Sequence, residues 1–169
     1  IFDDRGSKIF TEITELEEYH PAQCELEILH THKQVITDIV SKDRFRIIEL
    51  GAGDGQKTLV LLTHFIQNQL KFTYVPIDIS EGAVKNLVTS LEAQFSDNEM
   101  SVKGLAADYF DGLTAIGLNK DQRNIVLFLG STIGNMELPE AGKFLRKLRS
   151  ALNDGDYVII GFDLMKHPK

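Results

Sequence analysis

The sequence predicts a doubly wound α/β fold, a mainly parallel sheet with helices on both faces. Three observations predict it. Short apolar runs alternate with stretches whose apolar residues recur at helical spacing. The runs carry apolar residues at consecutive positions rather than only at every second residue, as strands covered on both faces do. The first run leads into a glycine-rich turn that opens a helix. Alternation of this kind implies parallel strands joined by right-handed crossovers. The 169 residues lie near the ~150-residue prior for a single domain. No low-complexity stretch, repeat or Pro/Gly linker divides them.

Each element has its own signal. Residues 7–19 carry Ile9, Phe10, Ile13 and Leu16 at helical spacing, a pattern that Pro21 ends. A second helix begins near Ala22, with an apolar stripe of Ile28, Val35 and Ile39 joined by Leu29, Ile36 and Val40. From Phe45 the alternation starts, so residues 1–44 read as an N-terminal helical segment packed on a core of residues 45–169. Strand-like runs cover 46–50, 72–77, 102–106, 125–129 and 157–162. The intervening helices carry Leu59, Leu62, Ile66 and Leu70, then Val84, Leu87, Val88, Leu91 and Phe95. The last carries Ala141, Phe144, Leu145, Leu148 and Leu152. Residues 111–118 have room for two helical turns at most.

Composition excludes several classes. Lys and Arg total 18 against 25 Asp and Glu, a net charge of -7, which disfavours nucleic acid or an anionic membrane as partner. No apolar run approaches the ~20 residues that span a bilayer. Cys24 is the sole cysteine, which excludes an internal disulfide and a cysteine-based zinc cluster, and points to a reducing, cytoplasmic setting. His30 and His32 stand two apart on a helix and do not share a face, and His64 is alone, so no metal site is expected. Cys24 reads as a small helix residue. Glu12, Glu15, Glu17, Glu18, Glu25 and Glu27 read as a solvated helical face. The chain opens on Ile1 and closes on Met165-Lys166-His167-Pro168-Lys169 directly after an apolar run. It therefore reads as a segment of a longer one, truncated at its C-terminus.

Ligands of doubly wound sheets bind beyond the carboxyl ends of the strands, near the reversal of strand order. Here the first strand runs into Glu49-Leu50-Gly51-Ala52-Gly53-Asp54-Gly55, and a helix opens at about Gln56. Glycines let such a turn bend tightly and approach a ligand. Gln56 occupies the place where a dinucleotide fingerprint needs its third glycine, and no Gly-Lys-Ser/Thr run is present for a triphosphate loop.

This acidic, glycine-rich turn resembles motif I of the class I S-adenosylmethionine-dependent methyltransferases. The resemblance implies that the turn packs against the methionine and ribose part of the cofactor. It further implies that Asp78, ending the second strand, holds the ribose hydroxyls, a diol that one carboxylate can bind with two hydrogen bonds. Asp108-Tyr109, ending the third, would mark the adenine pocket. A narrower resemblance comes from Phe128-Leu129-Gly130-Ser131-Thr132-Ile133-Gly134-Asn135. Taken with Asp4-Arg5-Gly6-Ser7, Ile13-Thr14-Glu15-Leu16, Glu18-Tyr19 and Gly161-Phe162-Asp163-Leu164, it is similar to the histidine Nα-methyltransferases of ergothioneine biosynthesis. That family trimethylates the α-amino group of histidine to hercynine.

What the resemblance implies can be carried over residue by residue. Gly51 and Gly53 of the turn, Lys57 opening the next helix, Asp78, Asp108 and Tyr109 would contact the cofactor. Asn135 would hold the amino-acid substrate's backbone groups, and Tyr19 would touch the same substrate. No residue is assigned as the base. The sequence departs from the family at Phe2, where a tyrosine is common. It departs again at His20-Pro21-Ala22-Gln23-Cys24-Glu25, where Tyr-Pro-Thr-Arg-Thr-Glu is usual. Family members continue past the position of Lys169 into a second lobe that grips the imidazole ring. Two alternatives stay open: a methyltransferase for another amino acid or small amine, and a cofactor-binding module inactive without that lobe.

Overall fold

The computed structural model describes residues 13, 20–40, 44–96, 100–118 and 122–164. Its elements, in order, are α1 (His20–Val40), β1 (Phe45–Leu50), α2 (Gln56–Gln67), β2 (Phe72–Asp78), α3 (Glu81–Gln94), β3 (Ser101–Val102), β4 (Leu105–Ala106), α4 (Tyr109–Ile116), β5 (Arg123–Phe128), a short 3-10 turn (Thr132–Asn135), α5 (Leu138–Ala151) and β6 (Tyr157–Ile160). The strands form one sheet in the order β3-β2-β1-β5-β6, with β4 also on β2. Every pairing is parallel. The chain builds outward from β1 through β2, then returns to lay β5 and β6 on the other side of β1. The order therefore reverses between β1 and β5, and the crevice of the fold opens at their carboxyl ends.

The period of two along each strand divides the core between two faces. Phe45 and Ile47 of β1, Phe72 and Tyr74 of β2, and Ile125 and Leu127 of β5 pack under α1, α2 and α3, against Leu29, Leu62, Phe65 and Leu87. The alternate residues, Ile48 and Leu50, Val75 and Ile77, Val126 and Phe128, pack under α4 and α5, against Leu113, Phe144 and Leu148. Both faces are covered, which is why apolar residues stand at consecutive positions along the strands. At the amino ends of β1 and β2, Phe45 stacks on Phe72 at 5.6 Å while Phe65 meets Phe45 edge-on at 5.4 Å.

Two details differ from the sequence expectation. On α1 the inner face runs through Leu29, Ile36, Thr37 and Val40. Ile28, Val35 and Ile39 lie outward, at 57%, 56% and 45% exposure. Adjacent apolar residues on a helix are 100° apart, so only one of the two interleaved rows can face α2. The expected strand over 102–106 is instead two short pieces, with Lys103 and Gly104 between them. The break falls opposite Val75 and Pro76 of β2, and proline has no N–H to give to a ladder. Pro21 sits in the first turn of α1, where an N–H has no intrahelical partner to lose. The expected helix over 7–19 lies outside the described residues apart from Ile13. No helix among the described residues is long and apolar enough to cross a membrane.

Candidate active site

The turn from β1 to α2 is set by glycine geometry. Gly51 and Gly55 have φ of 74° and 69°, the left-handed region that a side chain disfavours. A Cβ on Gly55 would stand 2.5 Å from Leu87 Cδ1, and one on Gly51 would stand 3.2 Å from the Tyr109 hydroxyl. The turn is tied to the tip of β2. The Gly51 N–H donates to the Ile77 carbonyl at 2.8 Å, and the Gly53 N–H donates to Asp78 Oδ2 at 3.0 Å.

Asp78 is half-buried, and its second oxygen accepts from the Ser80 N–H at 3.0 Å. Each carboxylate oxygen so engaged keeps a lone pair for a hydroxyl. Asp108 caps α4, accepting from the Phe110 N–H at 3.0 Å. Tyr109 lies over Gly51 and packs edge-on to Phe128 at 5.5 Å and Phe144 at 6.2 Å. Burial first, then the negative charges of Asp78 and Asp108, pushes its phenol pKa up. The ring is therefore a neutral wall at neutral pH. Gly51, Gly53, Asp78, Asp108 and Tyr109 thus come together on one rim.

A second part of the rim lies at the end of β5. There the backbone turns through Gly130 and Ser131, with φ of 81° and 56°, into the 3-10 turn that ends at the exposed Asn135. Lys57, in the first turn of α2, pairs with Glu25 of α1 at 2.6 Å. The same carboxylate accepts the Gly130 N–H at 2.9 and 3.0 Å. Glu25 therefore departs from the solvated face read for it, with a side chain only 13% exposed. Glu27 is exposed as expected. The missed signal was spacing: Glu25 stands four residues before Leu29, on the buried face of α1.

Glu49 has a different place from the other strand-tip acids. The strand period turns it toward α2, where it is buried. Its oxygens accept from the Thr58 hydroxyl at 2.6 Å and from the Tyr74 hydroxyl. Burial raises its pKa from the ordinary 4.5 to about 7, against the pull of the Thr58 and Tyr74 hydrogen bonds and the Lys57 charge. It acts behind the turn rather than on the rim.

Cys24 is an exposed residue of α1, and His64 is bonded to Gln34 and Asn68. Among the described residues no three His, Cys, Asp or Glu side chains gather as a metal cluster. Tyr19 lies outside the described residues.

A family model described as "Histidine-specific methyltransferase, SAM-dependent" matches residues 1–169. The chain is 32% identical over 166 residues to a histidine N-alpha-methyltransferase of Mycolicibacterium smegmatis, covering 98% of this chain and 50% of that protein. It is 30% identical over 168 residues to ergothioneine biosynthesis protein 1 of Schizosaccharomyces pombe, covering 96% of this chain and 22% of that one. Among solved structures, the magnesium protoporphyrin IX methyltransferase of Synechocystis PCC 6803 with bound SAH superposes with a TM-score of 0.57. The identity is 16%, and the match covers 90% of this chain and 65% of the other; this similarity concerns the fold alone. The chain spans half the length of the mycobacterial relative it matches.

Proposed function

The chain belongs to the family of histidine-specific, S-adenosylmethionine-dependent methyltransferases, and from that premise we propose that it forms the cofactor-holding part of an enzyme that methylates the α-amino group of an amino acid, L-histidine. The observation that carries the reading is the Asp78 carboxylate. It is fixed by the Gly53 and Ser80 N–H groups at the carboxyl end of β2, with lone pairs left for a vicinal diol.

The residues present fit such a cofactor. Gly51 brings bare backbone to the rim where a side chain would crowd Tyr109. Tyr109 offers a flat, uncharged wall beside Asp108 for an adenine ring. S-adenosylmethionine supplies, when bound, a methyl group on a positively charged sulfur. Lys57 stands beside the turn, at the start of α2. Asn135, exposed at the end of the 3-10 turn, has both a donor for a substrate carboxylate and an acceptor for its amino group. It orients the amine and does not titrate. Tyr19 is a further substrate contact in this reading. An α-amino group of pKa ~8 is largely protonated near neutrality, so the chain's contribution is alignment of the neutral fraction in a shaped cleft. The partner is a small molecule, and neither nucleic acid nor membrane is part of the reading. The setting is the cytoplasm.

Calorimetry with S-adenosylhomocysteine tests the cofactor part: binding at micromolar to millimolar ligand is expected, and none at millimolar refutes it. Methyl transfer across the free amino acids, with a protein spanning the relatives' full length, tests the acceptor; preference for another amine overturns histidine. Asn135→Ala should raise the KM for the amino acid roughly tenfold, the worth of one strong hydrogen bond. S-adenosylhomocysteine affinity should not change.

A further inference from the structure

We propose that Glu25 is a positioning residue of this site: it holds Lys57 as a neutral ion pair against the tip of β5, so that the cleft beside α2 admits a sulfonium cation. The inference rests on the cofactor reading above.

Four segments meet at this carboxylate. It comes from α1 and pairs with Lys57 of α2 at 2.6 Å. It accepts the Gly130 N–H at the end of β5. A Cβ on Gly161, just past β6, would stand 1.6 Å from its Oε1, so this glycine lies directly against the carboxylate. The Gly161 N–H in turn donates to the Phe128 carbonyl at 3.0 Å, which fixes this glycine beside β5. The Lys57 side chain is 26% exposed and that of Glu25 13%. A pair this withdrawn from water interacts more strongly than a surface pair. The Lys57 Nζ also lies beside Gly130, 3.1 Å from where a Cβ on that glycine would stand.

The consequence is electrostatic. The switch point between β1 and β5 is flanked by Lys57 at the start of α2 and by Gly130. An unpaired ammonium there would repel a second cation entering the cleft. S-adenosylmethionine and S-adenosylhomocysteine share the amino acid, ribose and adenine and differ by one methyl group and one positive charge. The methyl contributes alike in wild type and variant, so the change in their affinity ratio reports the charge.

The experiment measures both affinities by calorimetry in the wild-type chain and in two variants. Glu25→Gln keeps the length and an acceptor for the Gly130 N–H while removing the charge. It should lower S-adenosylmethionine affinity relative to S-adenosylhomocysteine by on the order of tenfold. Lys57→Met leaves the carboxylate unpaired and should shift the same ratio in the opposite direction. A merely structural role would weaken both ligands alike and could not give opposite signs. An unchanged ratio in both variants, with wild-type binding intact, overturns the inference and leaves the cofactor reading standing. Absence of wild-type binding to either ligand overturns both. If Glu25→Gln does not fold, the Lys57→Met ratio decides alone: a shift toward S-adenosylmethionine supports the role of the pair, and no shift refutes it.

Discussion

Glu49→Gln is expected to change how the stability of this fold depends on pH. Glu49 is buried between β1 and α2, bonded by Thr58 at 2.6 Å and by Tyr74, and burial holds its pKa at about 7 against an ordinary 4.5. Between those values the folded chain keeps a proton that the unfolded chain has released. Stability from this group is therefore fully present below about pH 4.5 and is lost as pH rises to about 7, beyond which it is flat. At ~1.36 kcal/mol per pKa unit, the loss is about 3 kcal/mol. Glutamine has nearly the same shape and does not titrate. Urea unfolding of wild type and variant across pH 4.5 to 8 measures the difference. The variant should gain about 3 kcal/mol on the wild type over that range. Parallel stability curves would refute the assignment of a protonated carboxyl at Glu49.

Two further substitutions probe the glycine turn and the strand tip beside it. Gly55→Ala places a Cβ 2.5 Å from Leu87 Cδ1 at a φ of 69°. Left-handed strain and overpacking together should cost roughly 2–4 kcal/mol in denaturant unfolding, and an unchanged midpoint would contradict the turn geometry. Asp78→Asn turns an amide donor toward the N–H of Gly53 or Ser80. It should weaken S-adenosylhomocysteine by roughly ten- to hundredfold with the circular dichroism of the fold retained; equal affinity in calorimetry would remove Asp78 from the site.

The fold was legible because its strands are covered on both faces, so that the neighbours Ile47 and Ile48 are buried on opposite sides of the sheet. The glycine turn was legible for a similarly local reason: Gly51, Gly53 and Gly55, three glycines within five residues, all adopt positive φ. What escaped was fixed by distant partners. The break between β3 and β4 depends on Pro76 in the neighbouring strand, and the choice between Ile28 and Leu29 on α1 depends on where α2 lies. Glu25 was hidden among acids that look alike in composition, and its role is set by Lys57 and Gly130, far away in sequence. Glu49 directly precedes the turn in sequence, but the strand period sends it behind the turn.

The contact between Glu25 and Gly130 joins positions 105 apart. Such a closure is entropically late, because the intervening loop shrinks only as β1, β2 and their crossovers condense. During synthesis a ribosome-borne chain would own its glycine turn well before the opposite bank existed. Competence to grip a ligand would then arrive abruptly, when β5 slots beside β1, rather than growing in step with the sheet.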